Sequence, residues 1–410
     1  MQSDPGIFYK SLYDQMEKLI VQPLAESAIS TVIVIDALDE CKGEEPVSTI
    51  LFVLGKFAMA IPKVKFFVTS RPETRVREGS RPPLPAGVMI QFSLHEAEPV
   101  QVSNDIRLFF EHRLPRHTPH LELDSWPTDE HLDQLCEHAA GSFLFAKTSV
   151  RFIRNWSHDP RVLLDHLLES PESSVFEGKT RLMETDTLDS LYMKILRWVF
   201  GNNTPEDDPK TWSILGAVVL SVNPLSPSTI AVLLGFDIQC ILPLLSPLSS
   251  LLVLRDINDP VQPLHESFSR FITDSTRCTD QRFCISPPKQ HMEILVGCLE
   301  LMNRRLEKNL CVLPGGVANL EVVDLNERNE RYIGEALEYA CRSWHKHLAG
   351  TIPAQRLEIA PILHRFLEGK FLFWLEALSL LSAANKAVDA LEITVTWSDV
   401  RRLPSLPSFQ

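Results

Sequence analysis

The sequence predicts an α/β unit followed by an all-α chain. Three observations lead there. Two apolar runs, "TVIVIDALDEC" (31–41) and "KVKFFVTSRPE" (63–73), end abruptly in polar residues and are separated by a helical stretch. From about residue 100 the apolar spacing becomes helical. Between 210 and 285 three short helices precede two short strands, the order of a winged helix. The implied divisions are 1–98 (partial parallel sheet), 99–200 (helical domain), 210–285 (winged helix), 286–395 (C-terminal helical domain) and 396–410 (tail).

Each element has its own reason. Phe8, Leu12, Met16, Leu19 and Ile20 form one stripe of an amphipathic helix over 8–20. Val32 to Ile35 is a β-branched run, suited to a strand buried on both faces of a parallel sheet. Val47, Ile50, Leu51, Leu54 and Phe57 face one way from a helix over 47–60. The strand in 63–73 is stopped by Pro72, and "VMIQFSL" (88–94) reads as a third strand. "VSNDIRLFFEHRL", "TDEHLDQLCEHAA", "SFLFAKTSVRFI" and "DTLDSLYMKILRWVF" have helical spacing, with Ser103 and Thr128 as N-caps. "GNNTPEDDP" (201–209) reads as a linker and domain boundary. "KTWSILGAVVLS", "SPSTIAVLLG" with its terminal Gly235, and "DIQCILPLLSPL" are the three helices that follow. "SSLLVLRD" and "PVQPLH", joined by "INDP", form the wing. Residues 290–395 are helical again, and "LPSLPSFQ" is a loose end. No internal repeat of 20–50 residues is present.

Bulk properties exclude several classes. With 44% hydrophobic and 23% charged residues the composition is that of a soluble globular protein. A net charge of −13 argues against binding to nucleic-acid backbones and anionic membranes. Eight scattered cysteines without C-x-x-C fit a reduced, cytoplasmic setting better than a disulfide framework. No apolar run reaches about 18 residues, so no transmembrane helix is expected. The first residues do not form a secretory signal.

A carboxylate at the carboxyl end of a parallel strand sits where open α/β sheets bind ligands. Asp36, followed by Asp39 and Glu40, has the form of a Walker B element, in which the first Asp helps hold Mg²⁺ against nucleotide phosphates. Taken alone, these acids fit a solvated loop equally well. Thr69, Ser70 and Arg71 end the neighbouring strand, where P-loop NTPases place a polar or basic sensor of the γ-phosphate. Arginine suits that place because its planar fork matches phosphate oxygens. The expected sheet is therefore part of a P-loop NTPase sheet. Other chemistries fit less well. His112, His117 and His120 in "EHRLPRHTPH" are irregularly spaced around two prolines, which suits a loop better than a metal site. No nucleophile elbow is present. The third helix of the 210–285 unit has no Lys or Arg with which to read a DNA groove.

"VIVIDALDEC" followed by "PKVKFFVTSRPE" resembles the NACHT NTPase module of fungal signalling proteins, a group related to heterokaryon-incompatibility proteins and animal NOD-like receptors. "WPTDEHLDQLCEHAAGSFLFAKTSVRFI" (126–153) and "LDSLYMKIL" (188–196) resemble the helical segments that follow the NTPase core there. "LSPLSSLLVL" with "PLHESFSRFI" resembles its winged helix. "CVLPGG", "YACRSWHKHL" and "FLFWLEALSLL" resemble the helical region before a WD-repeat propeller. The resemblance covers roughly residues 7–395 and implies bound ATP or ADP with Mg²⁺. It implies that Asp36 orients the metal, that Asp39 and Glu40 position the attacking water, and that Arg71 senses phosphate. It also implies that His265 contacts the β-phosphate of ADP; the plainer reading is a histidine capping a strand-to-helix corner.

One departure matters. The family carries G-x-x-x-x-G-K-[ST] before Walker B, and here only Gly6 precedes Val32. "SSVFEGKT" (173–180) starts with Ser173 rather than Gly, follows no strand and lies after Walker B. Hydrogen bonds to charged groups contribute roughly 1.5–3 kcal/mol each, so losing three removes about 5–9 kcal/mol. A micromolar ligand has about 8 kcal/mol in total. The expectation is a truncated NACHT-type switch that binds no cofactor by itself. The alternative is a non-catalytic interaction scaffold. Its partners are other proteins, including further copies of itself, and neither nucleic acid nor membrane.

Overall fold

The structure is a computed structural model. It describes residue 7 and residues 10–25, 29–41, 47–71, 87–93, 98–114, 117–118, 121–122, 126–154, 158–169, 184–201, 209–314 and 319–399. It forms two compact units, Met1–Ala97 and Glu98–Gln410.

The first unit begins with α1 (Leu12–Met16), capped by Ser11, whose Oγ accepts the Asp14 N–H at 3.2 Å. A π turn, Glu17–Val21, leads into α2 (Gln22–Ala25). The predicted first helix thus begins at residue 12 and is interrupted by a wide turn; Phe8 lies outside the described residues. β1 (Thr31–Ile35), α3 (Val47–Ala60) and β2 (Val64–Val68) follow. The strands pair in parallel, Thr31 opposite Val64 and Ile35 opposite Val68. α3 covers one face, packing Val53, Leu54 and Phe57 against Ile35, Phe66 and Val68. Leu38, Val47 and Leu51 form a second small cluster beside the strand ends.

Two strand expectations are corrected. β1 is not buried on both faces: Val32 and Val34 are 63% and 64% exposed, and Phe67 opposite Val34 is 60% exposed. Successive strand side chains point to opposite faces, and among the described residues helices cover only one. Residues 88–93 of the third expected strand are not a strand. An extended segment becomes one only by pairing its N–H and C=O groups, and apolar composition does not supply the partner. Ile90 and Phe92 there are largely exposed.

The second unit is helical around one continuous core that runs from Ile106 to Ala390. Its first part comprises α4 (Pro99–Arg113), a short antiparallel pair β3 (His117–Thr118) and β4 (Leu121–Glu122), α5 (Asp129–Ala139), α6 (Phe143–Ile153), α7 (Pro160–Leu168) and α8 (Glu184–Phe200). Thr128 caps α5 in a capping box with His131, as expected. Ser103 is not a cap. α4 starts a turn earlier, at Pro99, because proline fits the first helical position, where no N–H is needed. "SSVFEGKT" and residues 202–208 of the expected linker lie outside the described residues. On either side of that linker the Phe200 and Trp212 rings meet at a tilt of 41°, with centroids 5.0 Å apart.

α9 (Pro209–Leu220), α10 (Pro227–Leu234) and α11 (Ile238–Leu245) come next. Ser226 caps α10, and Gly235 closes it at φ +70°. β5 (Leu252–Val253) and β6 (Gln262–Pro263) pair antiparallel, and Leu225 bridges to Val261 beside them. α12 (Glu266–Thr273) leaves directly from β6. The rest is α13 (Pro287–Arg305), α14 (Leu325–Arg328), α15 (Gly334–Ala349), α16 (Arg356–Gly369), α17 (Phe371–Leu380) and α18 (Lys386–Ser398). The residues of the expected tail beyond 399 lie outside the described set. Among the described residues no single helix is long and apolar enough to cross a membrane.

Candidate functional site at two parallel strand ends

β1 and β2 stop in register, so the residues after Ile35 and Val68 leave the sheet side by side. Thr69 joins the two exits. Its N–H donates to the Ile35 carbonyl at 3.0 Å, and its carbonyl accepts the Leu38 N–H at 2.9 Å. Its hydroxyl accepts the Ala37 N–H at 2.9 Å and donates to a carboxylate oxygen of Asp36. Ala37 must enter the left-handed region, φ 53° and ψ 51°, to turn both amides toward Thr69. The one-turn 3-10 helix Leu38–Glu40 follows.

Asp39 faces the same turn. Its Oδ1 accepts the Arg71 N–H at 3.0 Å and the Ser70 hydroxyl at 3.4 Å, and its Oδ2 lies 3.5 Å from Arg71 Nε. The Asp39 side chain is only 6% exposed, against 39% for Arg71. Burial works to raise the Asp39 pKa. The Arg71 N–H, its own N–H, the Arg71 charge and Ser70 together outweigh burial and hold the carboxyl below the usual carboxylate range. Asp36, by contrast, is exposed at the strand tip.

The structure therefore brings Asp36, Asp39 and Arg71 together, with Thr69 and Ser70 between them. Glu40 ends the 3-10 turn beside them. His265 lies in the second unit, as N-cap of α12. Its Nδ1 accepts the Ser267 N–H at 3.1 Å and lies 2.8 Å from Ser267 Oγ, which lies 2.7 Å from the hydroxyl of buried Tyr192 on α8. A bidentate pair, Arg277 to Asp189 at 2.9 and 2.6 Å, ties the same helix to the segment after α12. The expected capping role is therefore present. The Tyr192–Ser267 link was missed from sequence because its partners lie 75 residues apart. The only signal was a Tyr on the inward stripe of α8. Of the three histidines of "EHRLPRHTPH", His112 is on α4, His117 is on β3 and His120 lies outside the described residues; among the described residues no group of His, Cys, Asp and Glu could hold a metal ion.

Two substitutions test the strand-end lock. Ala37→Gly relieves a left-handed alanine and should stabilise the first unit by up to about 1 kcal/mol. Thr69→Val keeps the shape but leaves the Ala37 N–H without its partner, for a loss of about 1–2 kcal/mol. Every tryptophan lies at residue 126 or later, so the readout is amide exchange in β1 and β2. Equal exchange in both variants would show that the lock contributes nothing.

Comparison with known proteins adds the following. The family model described as "Nephrocystin 3, N-terminal" matches residues 1–71, which include Asp36, Asp39, Glu40 and Arg71. The chain is also similar to "Vegetative incompatibility protein HET-E-1" of Podospora anserina, with 25% identity over 386 residues. That match covers 88% of this chain, and the chain spans about a quarter (26%) of the length of that relative. Over most of its own length, then, the chain is similar to a fungal vegetative incompatibility protein.

Proposed function

We propose that the chain carries the acid-and-sensor strand ends, the helical domain and the winged helix of a NACHT-type signalling NTPase that acts as a nucleotide-dependent switch. The observation that carries this reading is the pairing of Asp36 and Asp39 with Thr69, Ser70 and Arg71 at the ends of two adjacent parallel strands. Asp36 fits a Mg²⁺ role: it is an exposed hard oxygen donor beside a hydroxyl, and Mg²⁺ is commonly held by one or two carboxylates plus phosphates. When bound, the metal would neutralise developing charge on the transferred phosphoryl group. Arg71, oriented through its own backbone by Asp39, senses phosphate, and Glu40 positions water. His265 contacts ADP in the closed state. Because Nδ1 accepts from the Ser267 N–H, the neutral ring carries its proton on Nε2, which is the donor such a contact needs.

A second reading, an interaction scaffold without nucleotide chemistry, is favoured by one feature. The given sequence has no G-x-x-x-x-G-K-[ST], and its nearest approach begins with Ser173. The purified chain is therefore expected to show no ATPase or GTPase activity and no ADP binding by calorimetry. Turnover lost in Glu40→Gln would overturn that. Fusing a related P-loop strand and helix ahead of residue 7 separates the two readings. The switch reading expects ADP binding that His265→Ala weakens about 10- to 150-fold, the equivalent of roughly 1.5–3 kcal/mol. The scaffold reading expects the fusion to remain unable to bind.

A further inference from the structure

Tyr192 is a buried polar side chain on α8 to which the switch reading gives no task. Its ring packs on α12, with centroids 5.4 Å from Phe268 and 5.5 Å from Phe271, both buried. Its hydroxyl lies 2.7 Å from Ser267 Oγ, which lies 2.8 Å from His265 Nδ1. The backbone fixes the direction of each bond. The Ser267 N–H donates to Nδ1 at 3.1 Å, so that nitrogen carries a lone pair and no proton. Ser267 Oγ can then only donate to it. With its one proton used there, Oγ accepts the Tyr192 O–H. Burial acts in the same sense, because it raises the Tyr192 pKa and keeps the phenol protonated. Donation therefore runs in one order, from Tyr192 through Ser267 to His265, and the neutral ring keeps its own proton on Nε2.

The first donor of this chain belongs to a different helix from the histidine it serves. A second contact seats α8 there. Asp189, one turn before Tyr192 on the same helix, accepts from Arg277 Nε at 2.9 Å and Nη2 at 2.6 Å, in the segment after α12. If α8 shifts, the Ser267 hydroxyl loses its donor and is free to turn away from Nδ1. Nδ1 then keeps the backbone donor and loses the hydroxyl one, and the direction of the Nε2–H is less firmly set.

We propose that Tyr192 and Ser267 are positioning residues for His265, and that they make its Nε2 donor conditional on the docking of α8 against α12. The proposal rests on the switch reading for its ligand, an anionic oxygen of a nucleotide phosphate. It adds the regulation. The winged helix presents the histidine to that oxygen while α8 is seated through Tyr192 and Asp189, and the ring is loosened when α8 leaves. A histidine that only caps α12 needs the Ser267 N–H alone; the hydroxyl relay to another helix carries the coupling.

The test uses the full chain without nucleotide and amide exchange resolved at single residues. The Ser267 N–H reports the cap directly, because it ends on Nδ1. Tyr192→Phe keeps the ring and deletes the hydroxyl. It should lower the protection of the Ser267 amide about fivefold, the equivalent of about 1 kcal/mol for one net hydrogen bond. Ser267→Ala should cost the amide of residue 267 as much, and amides of α15 should keep their rates in both variants. Added to His265→Ala, Tyr192→Phe should have little further effect, because its action passes through the ring. Asp189→Asn touches neither hydroxyl nor ring and should also lower Ser267 protection, because it unseats α8. Unchanged protection in Tyr192→Phe, or an effect that persists undiminished without His265, would overturn the positioning role. A loss in Tyr192→Phe with none in Asp189→Asn would overturn the dependence on docking. In the P-loop fusion, Tyr192→Phe should weaken ADP binding about fivefold, and an unchanged affinity would overturn the regulation. A fusion that binds no ADP would sink the switch reading instead, and the exchange results would still decide the positioning role.

Discussion

Lowering the pH from 7 to 5 is expected to remove about 4 kcal/mol from the stability of the helical unit. Two fully buried histidines on α15 cause this. Burial, and then the nearby His291 and His345, hold His347 down at about 3. Burial, and then Lys346 and Lys386 against an opposing Asp389, hold His345 down at about 4. His347 sits in a closed chain. The Val222 N–H donates to the Tyr339 hydroxyl at 3.1 Å, that hydroxyl lies 2.7 Å from His347 Nε2, and His347 Nδ1 lies 2.9 Å from His291 Nδ1. A proton added to the His347 ring makes both of its nitrogens donors, so the His291 Nδ1 and the Tyr339 oxygen would both have to accept.

The unfolded chain takes up protons near 6.5, whereas the native rings do not. This stability is therefore complete above pH 6.5. Below it, about 1.4 kcal/mol is lost per pH unit per histidine, until pH nears the folded values of about 4 and 3. Over 1.5 units two rings give about 4 kcal/mol, a large part of the roughly 5–15 kcal/mol that domains possess. Urea midpoints by tryptophan fluorescence at pH 7, 6 and 5 measure it. Neither nitrogen of His345 has a hydrogen-bond partner, so His345→Leu should halve the slope and leave stability at pH 7 unchanged or higher. A flat profile would mean that the native rings accept protons.

The elements above were legible where a residue's role is local. Thr128 announces α5, Gly235 ends α10, and the stripe Val47, Leu51, Leu54 and Phe57 gives α3 and its buried face. The meeting of Asp36 and Arg71 at two adjacent strand ends was legible too, because each follows an apolar run. What the sequence did not show was non-local. The environment of Asp39 depends on an amide 32 residues away, and nothing in "DALDEC" distinguishes a carboxylate held by the Arg71 N–H from one facing water. The exposure of Val32, Val34 and Phe67 depends on what covers them, whereas their residue types suggested a covered sheet. The third strand failed for the same reason, since strand formation requires a partner that composition does not name.

Gly297 was equally silent in the sequence, a glycine inside a helix where alanine would be favoured by about 1 kcal/mol. Its place is set by packing. α13 crosses α10 so closely there that a Cβ on residue 297 would lie 2.1 Å from the Leu233 carbonyl oxygen and 2.9 Å from its carbonyl carbon. Both are backbone atoms, so no side chain can rotate away. The helices would have to separate, opening the core around Ile230, Leu233 and Leu299, which are buried to 5% exposure or less. Overpacking typically costs about 1–3 kcal/mol when side chains can adjust. With backbone against backbone, Gly297→Ala is expected at or above about 3 kcal/mol, despite its better helix propensity. Gly216→Ala should cost less, because the atoms nearest the Cβ belong to the Gln290 side chain, which can move at the loss of its bond to the Ser213 carbonyl. Gly369→Ala is the control: nothing lies within 4 Å of its Cβ, so the change should stay within about 1 kcal/mol of neutral or stabilise. The three urea midpoints rank the sites, and a Gly297→Ala protein as stable as Gly369→Ala would show that α13 and α10 do not meet this closely in solution.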